Sequence, residues 1–334
     1  MNARTGGRPT AGASSPASGE NGAGRSSAGA SSRHLCKPIT KEEVVPIRSN
    51  ATRPFHNRMA LVFDFDGTLA PDSFAELLGG IGVDPEAFAE ERVRPRVEEG
   101  WEETLARFYG LVEESRSRDD VSITEDHLRE VGRRIDLYEG VTGLFGRVRD
   151  RAAGSLPDVE VEFYLLSAGI SHILRGTPIA GEFREVWGCE FHFDDVGEAS
   201  FVKRLVTRPE KARYLLALAK GLDPHSPEGD SDIYREVPSE ELHLPIDQVV
   251  YVGDGASDMP AFSLMNSSRG LALGVHKAES PERWSGHSQM REGRRIQNLA
   301  PADYGEGSEL SRSLMLCVDS ICARIALRKL GAGE

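Results

Sequence analysis

Apolar residues occur along the chain in two patterns, as short continuous runs and at the spacing of a helix face. The first continuous run, Met59–Phe63, lies between Arg58 and the turn-forming residues Asp-Gly-Thr. An apolar run of this length is typical of a strand that is buried on both faces of a parallel sheet. Similar patterns predict strands at five further segments: Val159–Leu166, Val186–Phe193, Ser200–Val206, Gln248–Val252 and Gly270–Val275.

Helical spacing of apolar residues dominates from Ser73 to about Tyr138, and no strand pattern interrupts it. Residues 72–138 are therefore predicted to form an all-helical cap inserted after the first strand. Three more helices are predicted: one from Val141 to about Arg151, one that begins at Pro209 and one at Leu310–Leu327. The polar, proline-containing stretch from Asp223 to Ile246 is predicted to be an insertion loop.

Strands that alternate with helices predict an α/β fold with a doubly wound parallel sheet. Residues 59–71 and 139–330 would form this sheet domain, and residues 72–138 the cap. A length of 334 residues agrees with about two domains. The composition, 39% apolar and 28% charged residues, is that of a globular soluble protein.

Residues 1–58 have a different composition from the rest of the chain. Of the first 33 residues, 23 are Gly, Ala, Ser or Pro, without apolar periodicity. Such a stretch cannot bury enough surface to offset its ordering entropy, so we expect a disordered basic tail. An organelle transit peptide is the alternative, but seven glycines oppose the amphipathic helix that it needs. Because no continuous apolar secretory segment is present, we expect a cytoplasmic location.

The net charge of -13 is unevenly distributed, with +6 in residues 1–58 and -19 in the remainder. An acidic body repels phosphate backbones, so we expect no nucleic-acid partner. No apolar run approaches the roughly 18 residues of a membrane span, so we expect no membrane partner either. The four cysteines are scattered without a C-x-x-C pair, which argues against a disulfide framework and against a cysteine zinc site.

Carboxylates follow two of the predicted strands. Asp64 and Asp66 come directly after the first strand, and strand alternation places both on the same side. Asp254 and Asp258 lie in the turn after the strand Gln248–Val252. In an open parallel sheet, ligands bind beyond the carboxyl ends of the strands. Carboxylates this near to one another need a cation between them. Hard oxygen ligands, together with a substrate phosphate, favour Mg²⁺ as that cation.

A hydroxyl and a lysine complete the candidate site. Ser167 ends the second strand, where its hydroxyl and the backbone N–H groups that follow suit an anion. Lys211 lies at the start of the helix that precedes the Asp254 and Asp258 pair, which favours it over Lys203 and Lys220. Each residue alone has an ordinary structural interpretation, such as a turn former for Asp66, a helix cap for Asp258 and a solvated side chain for Lys211. Their joint occurrence favours a phosphate-handling site.

In these residues the sequence resembles the haloacid dehalogenase (HAD) superfamily. The first motif is Asp64-Phe-Asp-Gly-Thr-Leu, the second is Leu166–Gly169, the third is Lys211 and the fourth is Gly253–Asp258. All four occur in the family's order and spacing, over about Met59 to Val275. The helical insertion between the first two motifs is similar to the cap of the phosphoserine phosphatase-like branch.

The resemblance implies a role for each motif residue. Asp64 would be the nucleophile that becomes phosphorylated, and Asp66 the general acid and base. Magnesium would be bound by the Asp64 and Asp254 carboxylates and the Asp66 carbonyl, with Asp258 acting directly or through water. The remaining two motif residues, Ser167 and Lys211, would bind the phosphoryl group.

The implied activity is hydrolysis of a small phosphorylated metabolite. An aspartate at position 66 favours a phosphatase or a mutase, because the superfamily's ATP-driven pumps have Thr there and its dehalogenases lack the acid. A phosphotransferase or phosphomutase with the same intermediate is one alternative, and a non-catalytic regulatory module is another. Gly67, Asp72 and Ser257 depart from the residues common in phosphoserine phosphatases. Four arginines of the cap lie near two aromatic residues in the sequence: Arg92, Arg94, Arg96 and Arg107, near Trp101 and Tyr109. We interpret this cluster as a solvated helix face. The alternative is that it forms a subsite for a second anionic group of the substrate.

Overall fold

The computed structural model describes residues 56–277 and 296–332 of the chain. Most of the predicted basic tail, residues 1–55, lies outside these ranges. Within them, strands form one sheet in the spatial order β4-β3-β2-β1-β5-β6-β7. Their bounds are β1 Arg58–Phe63, β2 Glu160–Ile170, β3 Glu185–Phe193, β4 Ala199–Arg204, β5 Val249–Gly253, β6 Leu271–His276 and β7 Asn298–Pro301.

The helices form two groups, one in the cap and one around the sheet. Those of the cap are α1 Ser73–Gly80, α2 Pro85–Phe88, α3 Arg94–Glu98, α4 Glu103–Ser117 and α5 Glu125–Arg134, with a π-helical turn at Ala89–Val93. Those that follow are α6 Val141–Ser155, α7 Ser171–Gly176, α8 Arg208–Lys220, α9 Pro227–Asp232, α10 Met259–Ser267 and α11 Glu309–Ala332.

Alternating side chains of the strands bury both faces of the sheet. On one face, the rings of Phe63 and Phe163 contact Phe145 of α6 edge to face. On the other face, Tyr251 of β5 contacts Phe262 of α10. Helices therefore cover both faces, which confirms the predicted doubly wound α/β fold and explains why its central strands are continuous apolar runs.

One strand departs from the predicted parallel sheet. All the neighbouring strand pairs run parallel except β3 and β4, which are antiparallel. The connection between these two strands is a short turn in which the N–H of Gly197 donates to the carbonyl of Asp194 (3.0 Å). A parallel crossover needs a dozen or more residues, so this turn forces a hairpin and makes the sheet mixed.

The end of one strand and the presence of two short elements differ from the sequence prediction. Strand β2 continues past Ser167 to Ile170 because a bulge lies between Leu166 and Ile170. The predicted loop from Asp223 contains the short helix α9, which the Ser226 side chain caps. Strand β7 was not predicted, since four residues that end in proline at the sheet's edge carry no period-two pattern.

The chain reverses direction across the sheet between β1 and β5. From β1 it moves outward through β2 and β3, and it then crosses back to β5 on the other side of β1. Such a topological switch point opens a crevice at the carboxyl ends of the two central strands. The first and fourth motifs follow β1 and β5, so the fold brings them to this crevice.

Two of the contacts between the cap and the sheet domain show how closely the two pack. Phe108 of α4 lies 5.1 Å, centroid to centroid, from Phe191 of β3. Helix α5 packs on α7 so closely that a Cβ on Gly132 would collide with the carbonyl oxygen of Ile173 and with Gly176. Glycine at position 132 therefore sets the distance between these two helices. No helix of the described segments has the length and apolar character needed to cross a bilayer.

We expect Gly132→Ala to lower the free energy of unfolding by about 1–3 kcal/mol, because the added methyl group must push α5 away from α7. Gly146→Ala is the matched control: Gly146 is an exposed glycine of α6 with no atom within 4 Å of the added Cβ. It should gain about 0.5–1 kcal/mol from its higher helix propensity. Urea unfolding monitored by circular dichroism measures both, and equal effects would refute the packing argument.

Candidate active site

The loop after β1 places the first pair of aspartates. The backbone N–H of Asp64 donates to the carbonyl of Val252 at 2.9 Å, so the loop begins attached to β5. It then turns back, and the Phe65 carbonyl accepts N–H groups from Thr68 and Leu69 at 3.0 and 2.8 Å. Gly67 has φ +74°, and a Cβ there would collide with the Asp254 carboxylate. Glycine is required at this position by the backbone conformation and by the approach to Asp254.

Asp258 is held by the turn after β5 rather than by the helix it precedes. Its Oδ1 accepts hydrogen bonds from the Tyr251 hydroxyl and the Lys211 ammonium, both at 2.6 Å, and its Oδ2 accepts the N–H of Gly255 at 3.1 Å. The side chain makes no capping bond to α10, but its bond to the Gly255 N–H caps the 3₁₀ turn Ala256–Asp258 that precedes this helix. Asp258 therefore caps this turn and also pairs with Lys211.

Lys211 lies between two carboxylates in the interior. Its Nζ is 2.8 Å from Oδ2 of Asp64 and 2.6 Å from Oδ1 of Asp258, and its side chain is 1% exposed. The Ser257 hydroxyl accepts a longer bond from the same ammonium at 3.4 Å. Lys211 lies in the first turn of α8, where Pro209 is one of the first two residues.

The two rival lysines lie elsewhere. Lys203 of β4 is 58% exposed and pairs with Glu190 at 3.6 Å. Lys220 donates to backbone carbonyls near α9, including that of Ile233. Of the three candidates, only Lys211 contacts the Asp64 carboxylate.

Ser167 and Asp66 face each other across Gly169. Oγ of Ser167 accepts the N–H of Gly169 at 3.0 Å, within the bulge of β2. The N–H of Ser73, at the start of α1, donates to Oδ1 of Asp66 at 2.7 Å. A Cβ on Gly169 would lie 2.8 Å from Oδ2 of Asp66 and 3.3 Å from Oγ of Ser167. The bulge and the glycine thus leave room for these two polar groups to converge.

Burial dominates the electrostatics of the carboxylates. It raises the pKa of Asp64 well above its usual range, and the attraction of Lys211 opposes this shift only in part. Burial, followed by the charge of Asp258, raises the pKa of Asp254 to about 7. The pKa of Asp66 is raised by burial and by the nearby charge of Asp72. Burial alone would lower the pKa of Lys211, but the charges of Asp258 and Asp64 raise it above its ordinary value.

The donor set fits a small hard cation. Carboxylate oxygens of Asp64, Asp254 and Asp258 all lie within 4.8 Å of one another, and these residues are buried or partly buried. An all-oxygen set of this kind suits Mg²⁺, which binds through a few carboxylates and keeps several waters. A dication would also offset the cost of burying this negative charge, which a single lysine meets only in part.

Arg107 of α4 and Asp72, which caps the N-terminus of α1, form a charged pair that acts on the pKa of Asp66. The Arg107 guanidinium lies 4.4 Å above the centre of the Phe74 ring and 3.5 Å from the Asp72 carboxylate. Both charges act on Asp66, which Arg107 stabilises in its ionised form and Asp72 destabilises.

The other three cap arginines have carboxylate partners within the cap. Arg92 pairs with Glu114 at 2.9 Å, and Arg94 and Arg96 pair with other glutamates of the cap. Arg96 also lies over the rings of Trp101 and Tyr109, at 6.0 and 5.2 Å from their centroids. The side chains of Arg92, Arg94 and Arg96 are 37%, 61% and 18% exposed, so the predicted solvated helix face describes Arg92 and Arg94 but not Arg96.

Sequence reasoning missed two residues that hold the site together. The Tyr251 hydroxyl donates to Asp258, and the Ser73 N–H donates to one oxygen of Asp66. Ser73 could have been found as the first residue of a helix whose N-terminus follows the first motif. Tyr251 belongs to no motif, and no pattern in the sequence marks it.

Comparisons with known proteins fall into three kinds. No protein-family profile matches the chain. An uncharacterized protein of Borreliella burgdorferi is 24% identical over 306 residues, which cover 80% of this chain and 98% of that protein.

Among solved structures, an HAD-family hydrolase from Salmonella enterica serovar Typhi is 13% identical with a TM-score of 0.49, over 73% of this chain and 66% of that one. A phospho-aspartyl intermediate analogue of phosphoserine phosphatase is 15% identical with a TM-score of 0.47, over 78% and 98%. A probable phosphoserine phosphatase from Vibrio cholerae is 18% identical with a TM-score of 0.49, over 80% and 66%. All three TM-scores lie below 0.5, and the roles proposed below rest on the chain's own residues.

We expect Lys211→Met to lower the free energy of unfolding by about 3–5 kcal/mol at neutral pH in the presence of EDTA. The substitution leaves Asp64 and Asp258 buried without their cation, and breaking a buried pair from one side has this cost. Lys203→Met removes an exposed pair and should change stability by less than about 1 kcal/mol. Urea titrations compare the two variants, and a Lys211→Met protein as stable as the wild type would contradict the proposed charge balance.

Proposed function

We propose that the chain is a magnesium-dependent phosphomonoester hydrolase of the HAD superfamily. The observation that carries this proposal is the position of Lys211, whose ammonium joins Asp64 and Asp258 in a buried site at the sheet's switch point. Around it converge Asp254, Asp66 and Ser167. Phosphoryl transfer depends on positioning and on neutralising the charge of the phosphoryl oxygens, and this group of residues supplies both.

Asp64 is the proposed nucleophile. A carboxylate oxygen of Asp64 attacks the phosphorus, and the bond between phosphorus and the ester oxygen breaks as the new bond forms. The N–H of Phe65 holds Oδ1 at 2.8 Å and Lys211 holds Oδ2, so the carboxylate has one orientation. Lys211 and Ser167 bind the transferring oxygens.

Asp66 is the proposed general acid and base. Ser73 holds Oδ1, which leaves Oδ2 directed toward the space beside Gly169 and Ser167. From there Asp66 donates a proton to the leaving oxygen of the substrate. It then accepts a proton from the water that attacks phospho-Asp64, which releases phosphate and restores the Asp64 carboxylate and the protonated Asp66.

Asp64, Asp254 and Asp258 are the proposed residues that hold magnesium. When bound, the ion offsets the negative charge of the phosphate and of the carboxylates around it.

The proposed substrate is a small phosphorylated metabolite. Asp64, Ser167 and Lys211 are 4%, 1% and 1% exposed, which supports a ligand that fits beneath the cap rather than a phosphorylated protein surface. The non-phosphate part of the ligand would face Arg107 and the Phe74 ring beneath it. A cation at that position favours a substrate with a second polar or anionic group.

Asp64→Asn should reduce phosphate release from a panel of small phosphomonoesters by about 1,000-fold or more, because the amide cannot form the covalent intermediate. Asp66→Asn should reduce it about 100- to 10,000-fold, the usual contribution of general acid and base catalysis. Asp195→Asn, at an exposed turn of the β3–β4 hairpin, is the matched control and should keep wild-type turnover.

Each variant is assayed with Mg²⁺ and with EDTA, and a colorimetric assay measures the phosphate. Turnover that persists in EDTA or in Asp64→Asn would refute the proposed mechanism. Addition of an alcohol such as glycerol separates hydrolysis from transfer: formation of a new phosphate ester at the expense of free phosphate would assign the chain to phosphotransfer instead.

A further inference from the structure

The thiol of Cys189 lies between two segments of the candidate site. Cys189 belongs to β3 and is fully buried, and its Sγ forms hydrogen bonds on two sides. The S–H donates to the carbonyl of Ala168 at 3.3 Å, and Sγ accepts the N–H of Val206 at 3.2 Å. Ala168 follows Ser167 in the chain, and Val206 lies just before the helix that carries Lys211. The thiol therefore contacts the backbone beside both proposed phosphate ligands.

The first contact lies where the ladder between β2 and β3 is broken. Leu166 pairs with Trp187 and Ile170 pairs with Cys189, so three residues of β2 lie against one residue of β3. A bulge of this kind disrupts the ladder and leaves residues without a ladder partner. The S–H of Cys189 supplies a hydrogen bond to the carbonyl in the middle of this bulge, that of the residue after Ser167.

The one residue of β3 opposite the bulge is Gly188. A Cβ at this position would lie 2.9 Å from the carbonyl oxygen of Gly169 and 3.1 Å from the Cα of Ser171. The backbone of β3 therefore packs directly on the bulge. Two consecutive residues of β3 thus shape the segment that carries Ser167, Gly188 by its close approach and Cys189 by its hydrogen bond.

The second contact holds the chain just before α8. Thr207 is the N-cap residue of α8, and its side chain makes no capping bond within the described part of the chain. Val206, which precedes it, is fully buried, and a buried backbone N–H without a partner is costly. Sγ of Cys189 is the acceptor for this N–H, and Lys211 follows in the first turn of the helix. Burial raises the pKa of the Cys189 thiol to about 12, so the thiol keeps its proton and can donate.

We infer that Cys189 is a positioning residue whose thiol joins the bulge that carries Ser167 to the segment that leads into Lys211. The two proposed phosphate ligands belong to different elements, and a common anchor fixes the distance between them. Phosphoryl transfer depends on such positioning, because a displacement of about 1 Å can cost about 100-fold in rate. This inference rests on the proposed phosphohydrolase function and adds a residue that acts through two others.

The variants Cys189→Ala and Cys189→Ser test this role in the full chain. Both replace the thiol by a smaller group, but the serine hydroxyl keeps a donor and an acceptor, whereas alanine keeps neither. With a small phosphomonoester and Mg²⁺, Cys189→Ala should lower kcat/KM about ten-fold or more, and Cys189→Ser should recover most of this loss. The inhibition constant of inorganic phosphate should rise in Cys189→Ala as well, because Ser167 and Lys211 are the proposed phosphate ligands.

Cys322→Ala and Cys322→Ser are the matched controls. Cys322 of α11 is also buried, and its thiol donates at 4.0 Å to the carbonyl of Ala152 in α6. Neither of these residues belongs to the candidate site, so kcat/KM and inhibition by phosphate should be unchanged. Circular dichroism and urea unfolding check that all four variants are folded.

Amide hydrogen exchange, followed by mass spectrometry, measures the two contacts without any turnover. Cys189→Ala should speed exchange in the peptides that contain Val206 and the bulge at residues 167–169, and Cys322→Ala should not. Faster exchange in both peptides, together with a lower kcat/KM that serine restores, supports the inference.

Three results would overturn the positioning role. These are unchanged exchange in Cys189→Ala, faster exchange with unchanged kinetics, and an equal loss of kcat/KM in the alanine and serine variants, which would indicate packing alone. A wild type that releases no phosphate from the panel would refute the proposed function and this role together, whereas unchanged exchange in an active wild type refutes only the role of Cys189.

Discussion

The contact of the Lys211 ammonium with two buried carboxylates is the constraint on which the rest of the site depends. Asp64 and Asp258 belong to loops that follow different strands, and neither carboxylate is exposed enough for water to stabilise its charge. A buried ionised carboxylate is costly unless it is paired. The loops after β1 and β5 must therefore meet the first turn of α8 in one arrangement, and this arrangement sets the position of every other polar group nearby.

Backbone geometry makes that meeting possible. Gly67 lets the first-motif loop approach Asp254, and Gly253 lets the end of β5 approach the Asp258 carboxylate, where a Cβ would collide. Gly169 leaves the space into which Asp66 and Ser167 point. Glycine at these three positions adds no side-chain packing but lets charged groups approach closely. The continuous apolar strands behind them provide the stability.

The prediction from sequence was most accurate where the pattern is long or the chemistry is concentrated. Apolar runs such as Met59–Phe63 and Gln248–Val252 identified central strands, because burial on both faces leaves few residue types for such positions. The choice of Lys211 over Lys203 and Lys220 agrees with its contacts, because a helix start that faces the strand ends can reach the crevice. The two edge strands were harder to predict. Strand β7 is short and irregular, and the antiparallel direction of β4 depends on a turn rather than on a periodicity.

By itself, the sequence determined the α/β class, the doubly wound order of elements and the residues proposed to bind a phosphate, because these depend on local periodicity and on the chemistry of side chains. Only the tertiary structure decided how those residues are used. It bonds Asp258 to Lys211, and Lys211 in turn to Asp64. These contacts join residues far apart in the chain, and their formation depends on burial and on backbone approach, which no local pattern records.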